Sequence, residues 1–234
     1  MAQPWKIIDN VPTSAGLLEL RQRGARDFLI TIGGQVLMNS LAHRSEVALG
    51  ELACGHLRQH HAPRVLVGGL GMAFTLRAVL DQLPPSGQVV VAELNPVVVQ
   101  WCLGPLAALT DAAAADPRVT VEITDVSAFI RQCTGQPAKT FDAIVLDLYT
   151  GPDAGTHWRD DPLYGSRAIA HARAALRPGG VFAIWGESPD AGFTRRLSEA
   201  GFDVSTTRPG RGGLRHVVYV AKSPQTGKSL RKEG

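Results

Sequence analysis

The chain has 234 residues, 44% hydrophobic and 19% charged, enough apolar material to bury a sizeable core and too much for an intrinsically disordered body. No run approaches the roughly 18 consecutive apolar residues of a membrane span, and MAQPWKIIDN lacks the basic start and apolar stretch of an export signal. The formal net charge of +3 gives no support for a nucleic-acid partner, because Lys222, Lys228, Arg231 and Lys232 against Glu233 account for all of it.

In the first forty residues, WKIID, GLLELRQR, DFLITI and QVLMN are separated by Gly24-Ala25-Arg26 and Gly33-Gly34. They predict a small antiparallel sheet over residues 1–42. Val47, Leu49, Leu52, Ala53 and Leu57 then fall at helical spacing between Ser45 and Gln59. From Arg64 the pattern changes to strands alternating with helices. RVLVGG is a strand, Met72–Leu83 a helix, QVVVAEL a strand, and a helix runs from Pro96 to about Leu109. RVTVEI and FDAIVLDL are strands on either side of a helix over Val126–Cys133. A helix at Ser166–Leu176 is broken by Arg177-Pro178-Gly179-Gly180 before the strand VFAIW. A helix at Phe193–Ala200 precedes strands at Phe202–Thr207 and Leu214–Ala221, which read as an antiparallel hairpin. The prediction is an α/β fold: a Rossmann-like, seven-stranded, mostly parallel sheet over residues 43–222, covered on both faces. Residues 223–234 read as a solvated, disordered basic tail.

Gly68-Gly69-Leu70-Gly71 follows the first parallel strand and opens a helix, where glycines let a ligand approach the backbone and the helix N-terminus offers free N–H groups. The spacing is not G-x-G-x-x-G, so the dinucleotide fingerprint is absent. Glu93, with Leu94 after it, ends the next strand, where an acid can accept bonds from both hydroxyls of a ribose. Asp125, followed by Val126, ends the third strand and suits an adenine amino group. Asp147 ends the fourth. Each acid also has an ordinary use as a helix cap; the four features in this order point to a nucleoside site at the carboxyl ends of the strands.

His56, His60 and His61 lie near a helix end without a convincing third ligand, so no metal site is expected. Three widely spaced cysteines (Cys54, Cys102, Cys133) read as reduced thiols of a cytoplasmic protein. Gly-x-Ser-x-Gly is absent, which removes the serine-hydrolase reading.

The glycine turn, ELNP, DPRV, FDAIVLD, DPLYGSRAIAHARAALRPGGVF and GESP together resemble the spermidine/spermine synthase family, within the class I S-adenosylmethionine-dependent transferase fold. The resemblance runs from about residue 16 to 221. It implies that Glu93 holds the ribose, Asp125 and Val126 the adenine, and the Gly68–Met72 loop the sulfonium arm. It makes Asp147 the acid that helps deprotonate the attacking amine, and pairing of the N-terminal sheets of two copies implies a homodimer; Tyr149, two residues on, is a further catalytic candidate.

Three positions depart from the family pattern. The glycine-loop aspartate that binds the aminopropyl ammonium aligns with Met72, a second acid aligns with Thr150, and a helix tyrosine aligns with Leu49. A carboxylate in the loop would attract the ammonium of decarboxylated S-adenosylmethionine and repel the carboxylate of the intact form, a discrimination of ~1–3 kcal/mol. Its loss favours intact S-adenosylmethionine and methyl transfer to a nitrogen or oxygen of a small-molecule acceptor. The alternatives are aminopropyl transfer from the decarboxylated donor and a degenerate nucleoside-binding or oligomerisation module. The segment LYTGPDAGTHWRDDPLYG is the expected acceptor wall, with Tyr149, His157, Trp158 and Tyr164 as its candidates and Glu187 on the same rim. An anchoring role for Tyr164 and a capping role for Glu187 stay open.

Overall fold

Apolar residues two apart shape the beginning of the chain: Leu18 and Leu20, then Phe28 and Ile30, turn one face of their strands inward and are at most 3% exposed. The computed structural model describes residues 3–156, 158–210 and 216–225. In it these segments form a four-stranded antiparallel sheet in sequential order, β1 (Lys6–Thr13), β2 (Gly16–Arg23), β3 (Asp27–Ile32) and β4 (Gln35–Asn39). Leu20 pairs with Ile30 across β2 and β3.

The next segment is helix α1 (Arg44–Cys54), which runs on through a single tight turn at Gly55–Leu57. Helical spacing predicts regular helix to Gln59, but Gly55, the poorest helix former short of proline, ends it sooner. The alternating elements follow: β5 (Arg64–Gly68), α2 (Phe74–Gln82), β6 (Gln88–Glu93), α3 (Pro96–Leu103), β7 (Val119–Ile123), α4 (Val126–Cys133) and β8 (Phe141–Leu146). After them come α5 (Ser166–Ala175), β9 (Leu176–Gly186), α6 (Ala191–Glu199), β10 (Asp203–Thr207) and β11 (Val217–Lys222). Gly104-Pro105 stops α3 short of the expected Leu109, since the residue before a proline avoids helical geometry. Arg177-Pro178-Gly179-Gly180 lies inside β9 rather than before it. Phe141 pairs with Leu176 and Ala143 with Val181, so the extra residues are accommodated as an irregularity in the ladder.

The second sheet has the order β10-β11-β9-β8-β5-β6-β7 and is parallel except for β11, which runs antiparallel to both neighbours. Alternation assigns its side chains to two cores. Val65, Val67, Ala143, Val145 and Val181 point to one face, which they share with Leu49 and Leu76 and with Leu18, Leu20, Phe28 and Ile30 of β2 and β3. Leu66, Ile144, Leu146 and Phe182 point to the other, against Ile130, Ile169 and Leu197 of α4, α5 and α6. Each such side chain contributes about 1.5–3 kcal/mol over exposure to water. The N-terminal sheet is thereby packed on the same core as α1 and α2. No described helix is long and apolar enough to cross a membrane.

Chain order reverses at β5: β6 and β7 extend the sheet on one side, β8 and β9 on the other. In open α/β sheets the crevice outside the strand ends at such a reversal is where ligands bind. Gly68 and Glu93 close β5 and β6, and Asp147 directly follows β8.

Candidate active site

The glycine loop is tight because its surroundings leave no room. A Cβ on Gly68 would lie 2.7 Å from Val126 and 2.8 Å from Leu146, so the loop passes hard against α4 and β8. Gly69 has φ of +86° and sits against the backbone of Asp147, a conformation and a space that only glycine fills. The Gly69 N–H donates to the Ala92 carbonyl at 2.9 Å. The next N–H, of Leu70, donates to Oε2 of Glu93 at 2.9 Å, while the Asn95 N–H donates to Oε1 at 2.8 Å. Two opposed backbone donors thus hold the Glu93 carboxylate, and each oxygen retains accepting capacity. Asp125 is exposed and caps α4, taking the Ala128 N–H on Oδ1 at 2.8 Å and leaving Oδ2 for a ligand.

These residues open onto a cavity of about 280 Å³. Four carboxylates line it, from Glu46, Glu93, Asp125 and Asp147, and among its described lining residues there is no lysine, arginine or histidine. The rest of the wall is mainly apolar, with Leu18, Ile30 and Met38 from the N-terminal sheet and Trp185 from β9.

Asp147 lies under the glycine loop, its N–H donating to the Gly68 carbonyl at 2.9 Å. The Thr75 hydroxyl donates to its Oδ2 at 2.6 Å. Burial and the Glu46 carboxylate push its pKa up to about 7, against the opposing pull of the Thr75 hydrogen bond. A buried acid beside a second carboxylate, in a cavity whose described lining has no basic side chain, makes a site for a cationic ligand.

The structure brings Gly69, Gly71, Glu93, Leu94, Asp125, Val126, Asp147 and Tyr149 to the cavity wall. Gly68 packs beneath it. Met72 is placed elsewhere: it is fully buried, belongs to the hydrophobic core, and meets Met38 through its backbone N–H. Its side chain does not line the cavity. Tyr164 is also buried. Its hydroxyl donates to the Thr150 carbonyl at 2.6 Å and its ring meets Phe193 edge-on at 5.7 Å, so it ties the loop to the core instead of lining the cavity. Trp158 is half exposed and Glu187 exposed, and neither lines the cavity. Glu187 does not cap α6 either, because Asp190 accepts the Phe193 N–H. His157 lies outside the described residues, as do residues 226–234 of the tail.

Sequence reasoning missed Glu46. The signal was present: Glu46, Leu49, Gly50 and Ala53 share one stripe of α1, and all four are buried. An acid on the apolar stripe of an amphipathic helix must face a polar interior.

The fold and the position of the cavity define the class: a Rossmann-like α/β sheet with a small N-terminal β-sheet, the architecture of solved spermidine synthases. The structure of spermidine synthase from Thermotoga maritima superimposes with a TM-score of 0.72 over 93% of this chain and 72% of that one, at 19% identity. A probable spermidine synthase from Corynebacterium glutamicum gives 0.63 at 16% identity, over 93% of this chain and 80% of that one. Residues 52–192 match the model of the spermine/spermidine synthase domain. The match spans more than half of the chain, which therefore belongs to that family.

Among curated proteins, a polyamine aminopropyltransferase of Mycobacterium tuberculosis is 35% identical over 128 residues, 55% of this chain and 23% of the relative. One from Nitrosomonas europaea is 35% identical over 133 residues, 56% of this chain and 37% of the relative. The chain thus spans well under half of these relatives' lengths. Their name and the family match overturn the expectation of methyl transfer from intact S-adenosylmethionine. That expectation rested on Met72 facing the ligand and on Thr150 in place of a second acid. Met72 lies in the core, and the carboxylate that acts on Asp147 is Glu46.

Proposed function

We propose that the chain carries an aminopropyltransferase site, in which a small-molecule amine receives the aminopropyl group of decarboxylated S-adenosylmethionine. The observation that carries this reading is the cavity with four carboxylates and no basic side chain. The decarboxylated donor bears a sulfonium and an ammonium and no carboxylate, so its charge complements that wall throughout. Intact S-adenosylmethionine would bring its own carboxylate into that acid-lined cavity, and like charges about 4 Å apart repel by roughly 1–4 kcal/mol at the dielectric of water or a protein surface.

The residues present fit the donor. Glu93, held by Leu70 and Asn95, offers its remaining lone pairs to a ribose diol, and Asp125 offers Oδ2 to an exocyclic amine. The sulfonium supplies an activated carbon–sulfur bond: the acceptor nitrogen forms the new carbon–nitrogen bond as that bond breaks, and its electron pair leaves with the neutral thioether 5′-methylthioadenosine.

Asp147 receives the proton that the attacking nitrogen sheds. A base whose pKa sits near 7 is matched to that task at neutral pH. The apolar walls from the N-terminal sheet and Trp185 exclude water and hold the reactants together, the main catalytic task when the leaving group is already activated. The exposed Ile7, Ile8 and Val36 on the N-terminal sheet support its pairing in a homodimer.

The test is release of 5′-methylthioadenosine from decarboxylated S-adenosylmethionine, followed chromatographically with a panel of diamines and monoamines. Amine-dependent release supports the reading; no release with any amine, despite measurable donor binding, contradicts it.

A further inference from the structure

Of the four cavity acids, Glu93 and Asp125 are placed for the nucleoside and Asp147 for the acceptor's proton. Glu46 remains. It lies in the first turn of α1, is 8% exposed, and borders the same cavity.

Its orientation is fixed by a chain of donors. The Ser45 hydroxyl donates to Oε2 of Glu46 at 2.6 Å. That hydroxyl has one proton, so its 3.0 Å contact with Nδ1 of His216 is donated by the imidazole, in the tautomer that carries hydrogen on Nδ1. His216 immediately precedes β11, and its ring meets Trp185 edge-on at 4.9 Å. Trp185 lines the cavity. Ser45 thus holds the carboxylate at the cavity wall, and His216, far away in sequence, holds Ser45 in turn.

We propose that Glu46 is the carboxylate that receives the ammonium of the donor's aminopropyl arm and selects the decarboxylated donor over the intact one, with Ser45 and His216 as its positioning residues. The inference rests on the aminopropyltransferase reading and goes beyond it, because it moves the selecting charge from the glycine loop, where Met72 is buried in the core, to α1. An ammonium at Glu46 forms a charge-assisted bond, whereas a carboxylate there meets a like charge.

The test is calorimetric titration of the full chain with decarboxylated S-adenosylmethionine, intact S-adenosylmethionine and 5′-methylthioadenosine, which has no aminopropyl arm. The wild type is expected to prefer the decarboxylated donor by about tenfold or more, and Glu46→Gln to remove most of that ratio. Affinity for 5′-methylthioadenosine is expected to stay within about twofold, which also shows that the variant is folded. Ser45→Ala and His216→Ala should each narrow the ratio by a few-fold. His216→Asn should keep it, because the amide N–H can replace Nδ1–H, a rescue that a merely space-filling role does not predict.

A wild-type preference unchanged in Glu46→Gln overturns the inference and leaves the aminopropyltransferase reading standing. So does a parallel loss of all three ligands in a variant that keeps the wild-type melting temperature. A wild type that favours the intact donor, or binds none of the three, overturns both.

Discussion

The hydroxyl of Thr75, on α2, donates to Oδ2 of Asp147, at the end of β8, at 2.6 Å. The same oxygen lies 3.2 Å from the carbonyl of Glu46, so one small side chain stands between the two elements that bring the carboxylates together. It steadies the ionised form of Asp147 against burial and against the Glu46 charge. Thr75→Val removes that donor. The titration of Asp147 should then move above 7, and the acidic limb of the rate profile should move up by roughly one to two pH units, the worth of one hydrogen bond to a charged group. Thr75→Ser should keep the wild-type profile. The kcat–pH curves of the three proteins are the check.

Asp147 also links stability to pH. Its pKa is about 7 in the folded chain against the ordinary 3.8, so the folded state holds the proton more tightly than the unfolded state does. The resulting stabilisation is full below the ordinary value and is lost as pH rises through 7. Asp147→Asn carries no such dependence. Its stability should match the wild type near pH 4 and exceed it near pH 8, by up to a few kcal/mol at about 1.4 per pH unit, lessened by solvent access, with a correspondingly higher melting temperature at pH 8. The same variant should lose about 100-fold or more in kcat. Thermal unfolding at both pH values, beside a turnover assay, tests the pair of effects.

Glu93 is held by two backbone donors, and Glu93→Gln turns one carboxylate oxygen into an N–H₂ group facing an N–H. The loop should shift and affinity for 5′-methylthioadenosine should fall by about 10- to 100-fold, with a loss of melting temperature equivalent to about 1–3 kcal/mol. Calorimetry and thermal unfolding measure the two separately.

Close packing of α1 on α2 sets where Glu46 lies. A Cβ on Gly50 would stand 2.7 Å from the Cβ of Ala78. Gly50→Ala should therefore push the helices apart and cost about 1–3 kcal/mol, more than the helix propensity of alanine returns. Selectivity between the two donors should weaken along with stability, and titrating both donors below the melting point reads that out.

Most of the architecture follows from alternation that is visible in the chain. Val65-Leu66-Val67 and Ala143-Ile144-Val145 each serve two cores, which is why they read as unbroken apolar runs. Helix ends were less legible, because Gly55 and Gly104-Pro105 override a hydrophobic period that continues beyond them. Within the site, acids at strand ends could be placed because strand order alone carries them to the crevice. Met72 could not, since whether a loop residue faces ligand or core depends on the path of the glycines before it. Tyr164 looked like an acceptor contact because it lies in a long polar loop, yet its hydroxyl serves the Thr150 carbonyl. Glu46 was hidden because it reaches the cavity only when α1 packs beside α2 and β8.

The most direct test of the central claim offers the protein both donors at once, with a mixture of amines, and analyses the acceptors by mass spectrometry. The account predicts amines enlarged by an aminopropyl unit, at a rate that Asp147→Asn lowers by about 100-fold or more. Acceptors enlarged by a methyl group would contradict it.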